Sequence, residues 1–101
     1  MSNKWADYLI SAVRYHNNED YIEELAVHVD NGESVGASSS WSRQKVVSSI
    51  NKGSTFFTIY KQNTQWTKGA KVEVRIIDSE NYLRTDSNRI KKDNLGQLPK
   101  Y

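Results

Sequence analysis

Runs in which apolar and polar residues alternate dominate this chain, and they restrict it to folds built on a β-sheet. In the clearest run, Leu25, Val27 and Val29 alternate with a glutamate, an alanine and a histidine. A period of two places the apolar side chains on one face of a strand and the polar ones on the other. Because half-buried strands of this kind are typical of antiparallel sheets, the pattern predicts a sheet that is packed on one face.

Five segments have a strand-like composition, and turn-forming residues separate them. The first two flank a polar cluster at 16–20 and should form a β-hairpin. The third is β-branched and aromatic, and a loop around 66–69 is expected between it and the fourth. The predicted strands cover residues 8–15, 21–29, 55–60, 71–76 and 82–85.

One segment has the start signal and the spacing of a helix. Ser42 can accept a hydrogen bond as the N-cap, and Trp41 before it can pack on Val46 as a hydrophobic staple. The helix should therefore begin at Arg43, with its apolar residues at helical spacing, and end near residue 52, where the following glycine can adopt a left-handed conformation.

These elements give an α+β fold in the order ββαβββ, with one helix packed on a mostly antiparallel sheet. The chain has 101 residues, of which 37% are hydrophobic and 26% charged, a composition that suits a single packed domain over 1–101. The segment at about 30–40 is rich in glycine and serine, so we expect a flexible connection there. Residues 86–101 are expected to form a C-terminal tail.

The charge is distributed unevenly along the chain. Residues 1–40 sum to −5, residues 41–83 to +4 and residues 84–101 to +3, so the net charge is only +2. A basic C-terminal half can meet an anionic partner, although charge of this size is also common on solvated surfaces. The chain contains no cysteine, which excludes thiol chemistry, and it has neither a secretory leader pattern nor a run long enough to span a membrane. We expect a cytoplasmic protein.

The possible catalytic motifs in the sequence lack the structural context that their chemistry requires. The sequence GESVG at 32–36 matches the nucleophile elbow of hydrolases, but both histidines precede its serine, and the predicted helix starts several residues later. His16 and His28 lack further ligands at metal-binding spacing. We therefore expect no enzyme, no cofactor and no metal site.

The chain also resembles a family of small bacterial or phage proteins known only as a domain of unknown function. The resemblance rests on YLRTDSN at 82–88 with KKDNLGQLP at 91–99, on SAVRY at 11–15 and on WSRQ at 41–44. It implies a standalone domain and no assigned activity.

Two clusters of side chains, one at the start of the predicted helix and one in the C-terminal tail, are candidates for a ligand site. A forked guanidinium, short polar side chains and a tryptophan could together bind an anionic or planar ligand. The alternative is that the tail residues bond their own backbone while Leu95 and Leu98 pin the tail to the core. The candidate binding residues are Trp41, Arg43, Gln44, Arg84, Asp86, Asn88, Lys91 and Lys92.

Two classes of function fit these observations. The first is a non-enzymatic module that binds a protein or a small anionic ligand, with a homodimer through an open sheet edge as one form. The second is a nucleic-acid or nucleotide-binding protein that uses basic residues around Trp41 or Trp66 and whose affinity falls as salt rises. No membrane partner is expected.

Overall fold

The computed structural model describes residues 5–15, 22–32, 34–77, 79–85, 95 and 98–101. Within these residues the fold is α+β, as predicted, with six strands and one helix. No helix among them is long and apolar enough to cross a bilayer. The elements are β1 (Tyr8–Tyr15), β2 (Ile22–Asp30), β3 (Val35–Ser42), α1 (Arg43–Asn51), β4 (Phe56–Gln62), β5 (Gln65–Ile77) and β6 (Glu80–Arg84).

The strands form one sheet in the order β3-β2-β1-β4-β5-β6. Every neighbouring pair is antiparallel except β1 and β4, which run parallel at the centre. The helix α1 lies on the connection from the edge strand β3 to the central strand β4. Since parallel strands cannot be joined by a tight turn, the chain needs this longer route between β1 and β4.

The main core lies between α1 and one face of the sheet. Val46 and Val47 of the helix are buried there against large side chains of β1, β2, β4 and β6, including Phe56 and Leu83. A second, smaller cluster of buried residues lies apart from the main core and contains Ala6, Leu9 and Ile59. Leu9 and Ile10 are consecutive in β1 and belong to different clusters, so the two clusters occupy opposite faces of the sheet.

The predicted order ββαβββ is wrong by one strand, because three strands precede the helix. The flexible connection expected at 30–40 was also wrong for residues 35–40, which form most of β3. Its serines pair in register with β2, as Ser38 with His28 and Ser40 with Ala26. Their side chains are exposed, so backbone hydrogen bonding rather than burial of apolar side chains holds the serine stretch of this strand in the sheet.

The loop expected around 66–69 is also wrong, because these residues belong to β5. The reversal between β4 and β5 is instead a two-residue hairpin, in which Asn63 and Thr64 have φ values of 52° and 66° and the flanking Gln62 and Gln65 pair. Positive φ at both central residues is the mark of a type I′ turn, whose twist matches that of the strands. Gly69 lies at a bulge opposite Thr58 instead of in a turn.

The predicted start of the helix is confirmed. The Ser42 side chain accepts a hydrogen bond from the backbone N–H of Lys45 at 3.2 Å. The helix ends at Asn51 with Lys52 as its C-cap, and Gly53 follows with a φ of 104°. These two ends fix the short helix between β3 and β4.

The described part of the C-terminal tail packs on the sheet. Leu95 is buried in the main core and Leu98 packs against it, as the structural alternative for the tail predicted. The backbone of Val13 accepts a hydrogen bond from Tyr101 N and donates one to Pro99 O, at 3.0 and 2.9 Å. The end of the chain thus pairs with β1 beyond the short stretch where β1 pairs with β4.

We expect Gly69→Ala to lower the free energy of unfolding by about 2–3 kcal/mol, as overpacking does. A Cβ at this position would lie 2.7 Å from the Thr58 carbonyl oxygen and against the Thr58 hydroxyl. Urea denaturation followed by circular dichroism measures the change. Gly36→Ala is the matched comparison, because its Cβ would lie 3.2 Å from the nearest atom, Val29 O. Equal stability of the two variants would contradict the bulge at Gly69.

Candidate functional site

The sheet face opposite α1, called the open face below, carries the strongest candidate for a binding site. Its buried cluster is small, and four partly buried hydrophobic residues pack against that cluster: Trp5, Val35, Phe57 and Trp66. No helix covers these residues within the described chain. Aromatic side chains that are partly exposed on an uncovered sheet face are available to a ligand.

A cavity of about 490 Å³ lies on this face and is called the open-face groove. Leu9, Val35 and the two tryptophans Trp5 and Trp66 provide its apolar lining. Its polar lining is mostly uncharged. The polar lining residues are Ser34, Thr64, Gln65 and Asp30, with Gly32 beside them.

Asp30 fixes one end of the groove by binding backbone N–H groups. Its carboxylate accepts hydrogen bonds from Trp5 N at 2.7 Å, Ala6 N at 3.3 Å and Gly32 N at 2.8 Å. Asp30 is 4% exposed, and a buried carboxylate requires such partners. The charge of Asp30 therefore holds the segment that places Trp5 at the groove.

His28 connects three strands beneath the same face. Its Nδ1 lies 2.8 Å from the carbonyl oxygen of Gly36 in β3, and its Nε2 lies 2.7 Å from the hydroxyl of Ser11 in β1. A carbonyl oxygen only accepts, which assigns the ring proton of the neutral form to Nδ1 and leaves Nε2 to accept from Ser11. The Trp66 ring packs against the imidazole edge at 5.5 Å between centroids.

This arrangement uses both ring nitrogens of His28 to hold strands together. The residue is 7% exposed, so neither nitrogen is presented to solvent. His16, the other histidine of the sequence, lies outside the described residues. Among the residues that are described, no group of three histidines or carboxylates is placed to hold a metal ion.

Lysines lie over the aromatic rings of the open face. The Lys61 ammonium is 5.1 Å from the centroid of Trp66, and the Lys68 ammonium is 4.5 Å from that of Phe57. Lys71 pairs directly with Phe57 across β4 and β5, so it belongs to the same face. Cation–π contacts at exposed sites are worth only about 0.5–1 kcal/mol, and these ammonium groups can therefore move to an anion at little cost.

The candidates at the start of the helix lie together, but on the other side of the sheet. Trp41 packs in the main core with ring centroids 4.9 Å from Tyr8 and 5.9 Å from Phe56. The Arg43 guanidinium donates to the carbonyl oxygen of Asn81 in β6. Gln44 is exposed. The described contacts of Trp41 and Arg43 are with the protein itself.

Of the candidates in the tail, Arg84 lies within the described residues. Arg84 is 1% exposed, because β6 packs it inside the fold, and its guanidinium cannot meet a ligand at the surface without rearrangement. Asp86, Asn88, Lys91 and Lys92 lie outside the described residues. A shared surface site of Arg84 with Trp41 and Arg43 is therefore not formed by the described chain.

The sequence named Trp66 as a candidate for stacking, but its position beside Lys61 follows only from the turn at residues 63 and 64. Once that turn is placed, the register pairs Lys61 with Trp66 and brings both to one face. Because Asn-Thr is not the usual Asn-Gly of a type I′ turn, the signal was weak. The contribution of Trp5 depends on long-range hydrogen bonds to Asp30 that no local pattern indicates.

A comparison with family models places residues 9–99 in a family described as "Protein of unknown function (DUF3892)". The match confirms that the chain belongs to a family of unknown function, and it includes nearly all of the sheet and the helix. Trp5 precedes the matched region, whereas Trp66 lies within it. No curated protein and no solved structure matches the chain.

We expect Ser11→Ala to lower the free energy of unfolding by about 1–2 kcal/mol, because it leaves the buried His28 Nε2 without its partner. Chemical denaturation of the variant measures this loss. Ser38→Ala is the matched control, since its side chain is exposed on the neighbouring strand. Equal stability of Ser11→Ala and Ser38→Ala would contradict the structural role of the bond between Ser11 and His28.

Proposed function

The chain belongs to the family of proteins of unknown function DUF3892, and we propose that it acts as a non-enzymatic module that binds a ligand in the open-face groove. The observation that carries this proposal is a groove of about 490 Å³ with a mainly apolar lining on a sheet face that α1 leaves uncovered. Small-molecule sites in proteins are typically concave, largely apolar and about 300–1,000 Å³ in volume.

The lining of the groove favours a ligand that has a planar part and hydrogen-bonding groups. Trp5 and Trp66 offer aromatic surface for stacking, while the Thr64 hydroxyl and the Gln65 amide can donate or accept at the rim. A few polar groups around an apolar floor fix the orientation of a ligand and give specificity.

The engagement of the nearby polar groups supports a role in binding and not in catalysis. Asp30 already accepts three backbone N–H groups, and both nitrogens of His28 are hydrogen-bonded. A general base must lie within hydrogen-bond reach of the proton that it abstracts, whereas Asp30 and His28 are buried, with exposed fractions of 4% and 7%. These two side chains instead hold the walls of the groove in place.

In a thermal-shift panel, we expect at least one ligand with a planar group to raise the melting temperature of the protein. Calorimetry then measures the Kd of that ligand. Trp66→Leu should weaken the binding of that ligand about tenfold or more, which corresponds to a loss of about 1.4 kcal/mol of binding free energy. Gln65→Ala, an exposed change at the rim, should weaken it less and leave the fold intact.

Trp41→Phe is the matched control, because Trp41 packs on the helix side of the sheet and does not line the groove. Equal loss of affinity in the Trp66 and Trp41 variants would indicate general destabilisation and would contradict the groove as the site. A panel in which no planar ligand binds the wild-type protein would overturn the proposal.

A second candidate function is self-association through the edge strand β3. This strand is eight residues long and contains neither a charged residue nor a proline. Edge strands that remain monomeric are usually protected by charges, prolines or a covering element, because their free backbone groups can pair with another strand. A second copy of β3 would meet it without repulsion between like charges, and an antiparallel pair would have two-fold symmetry.

We expect the purified protein to form a dimer that Ser39→Lys weakens about tenfold or more, since the change adds like charges at the middle of both edges. Light scattering after size-exclusion chromatography over a range of concentrations measures the dimer. Ser48→Lys adds the same charge on an exposed position of α1 and should leave the dimer unchanged. A wild-type protein that is monomeric at millimolar concentration would exclude this role.

A further inference from the structure

We infer that the ligand of the open-face groove is a nucleobase joined to a phosphate, and that Lys61 and Lys68 bind the phosphate. This inference rests on the proposed function of the groove and adds its chemical class of ligand. It concerns cations and aromatic rings of β4 and β5, away from the basic residues of the helix start and the tail.

The cations of the open face are exposed and lie next to the groove. Lys61 contacts Trp66, which lines the groove, and Lys68 contacts Phe57, which packs on the cluster beneath it. Within the described residues neither lysine takes part in an ion pair. A lysine whose described contact is with an aromatic ring keeps its three donors available for phosphate oxygens.

The register of the β4–β5 hairpin places three lysines on the open face, each opposite an aromatic or aliphatic residue of the neighbouring strand. Going along β4 away from the turn, Lys61 pairs with Trp66, Ile59 with Lys68 and Phe57 with Lys71. A one-residue bulge in β5 keeps Lys68 and Lys71 on the same face although they are three positions apart. Each pair lies about 7 Å from the next, so cations and aromatic rings share one face of the sheet over about 14 Å.

Charge sets the direction in which such a ligand lies. The carboxylate of Asp30 is at the Trp5 end of the groove, and the lysines are at the Trp66 end. A phosphate is therefore repelled from the first end and attracted to the second, while the planar base remains between the tryptophans. Stacking of bases on aromatic side chains with lysines along the backbone is a common way to bind single-stranded nucleic acid.

The test is fluorescence anisotropy of fluorescein-labelled dT and dA 12-mers with the full chain at 50 and 200 mM KCl. We expect affinity to fall with salt, with a slope of log K against log salt of about −1.4 for two phosphate contacts on a single strand. The double variant Lys61→Gln, Lys68→Gln should bind about tenfold more weakly at 50 mM and lose most of this slope.

The double variant Lys45→Gln, Lys52→Gln is the matched control. It removes the same charge from the ends of α1, and Lys45 also lies over a tryptophan ring, Trp41, on the other side of the sheet. We expect it to retain the wild-type slope and affinity. Equal losses in the two double variants would mean that net charge alone governs binding, and that result would overturn the inference.

Calorimetry with AMP and UMP distinguishes a single-stranded nucleic acid from a free nucleotide as the ligand. Binding of the 12-mers well above that of the mononucleotides supports a single strand, and comparable binding supports a free nucleotide. If neither binds while an uncharged planar compound binds in a manner sensitive to Trp66→Leu, the proposed function stands and this inference is overturned. If no compound binds the wild-type protein, both are overturned.

Discussion

The parallel pairing of β1 with β4 is the contact on which the rest of the molecule depends. It spans three residue pairs, from Tyr8 with Phe56 to Ile10 with Thr58, and it joins an antiparallel half of β1–β3 to an antiparallel half of β4–β6. Asp7 and Thr55 reinforce it at one end, since each backbone N–H donates to the other side chain at 3.0 Å. This pairing of β1 with β4 is called the seam below. The open-face groove crosses it, because the lining of the groove comes from both halves.

The shortness of the seam explains the position of the chain's end. Beyond Ile10, β1 no longer pairs with β4, and its backbone groups need other partners. The terminal residues supply them, as Val13 exchanges hydrogen bonds with Pro99 and Tyr101. Leu95 enters the core on the helix side at the same time. The described residues at the end of the chain therefore complete the middle of the sheet.

The sequence predicted those parts of the fold that local chemistry decides. Ser42 caps the helix because a side-chain oxygen there meets free N–H groups, whatever the tertiary context. The strand β3 escaped prediction because its serines enter the sheet through backbone pairing, which leaves no apolar pattern. The same reason applies to the groove: Trp5 and Trp66 are 61 positions apart in the sequence, and only the seam between the halves brings them to one cavity. The burial of Arg84 could not be predicted, because composition carries no information on burial.

The seam also turns a difference along the sequence into a difference across the molecule. Asp30, from the acidic first forty residues, lies in one half, and Lys61 and Lys68, from the basic segment that follows, lie in the other. Because the two halves lie side by side in one sheet, the opposite charges of Asp30 and the two lysines produce a gradient of potential along the groove. A neutral ligand would gain nothing from that gradient. A ligand with a planar neutral part and an anionic end would be oriented by it, and the net charge of only +2 conceals this property.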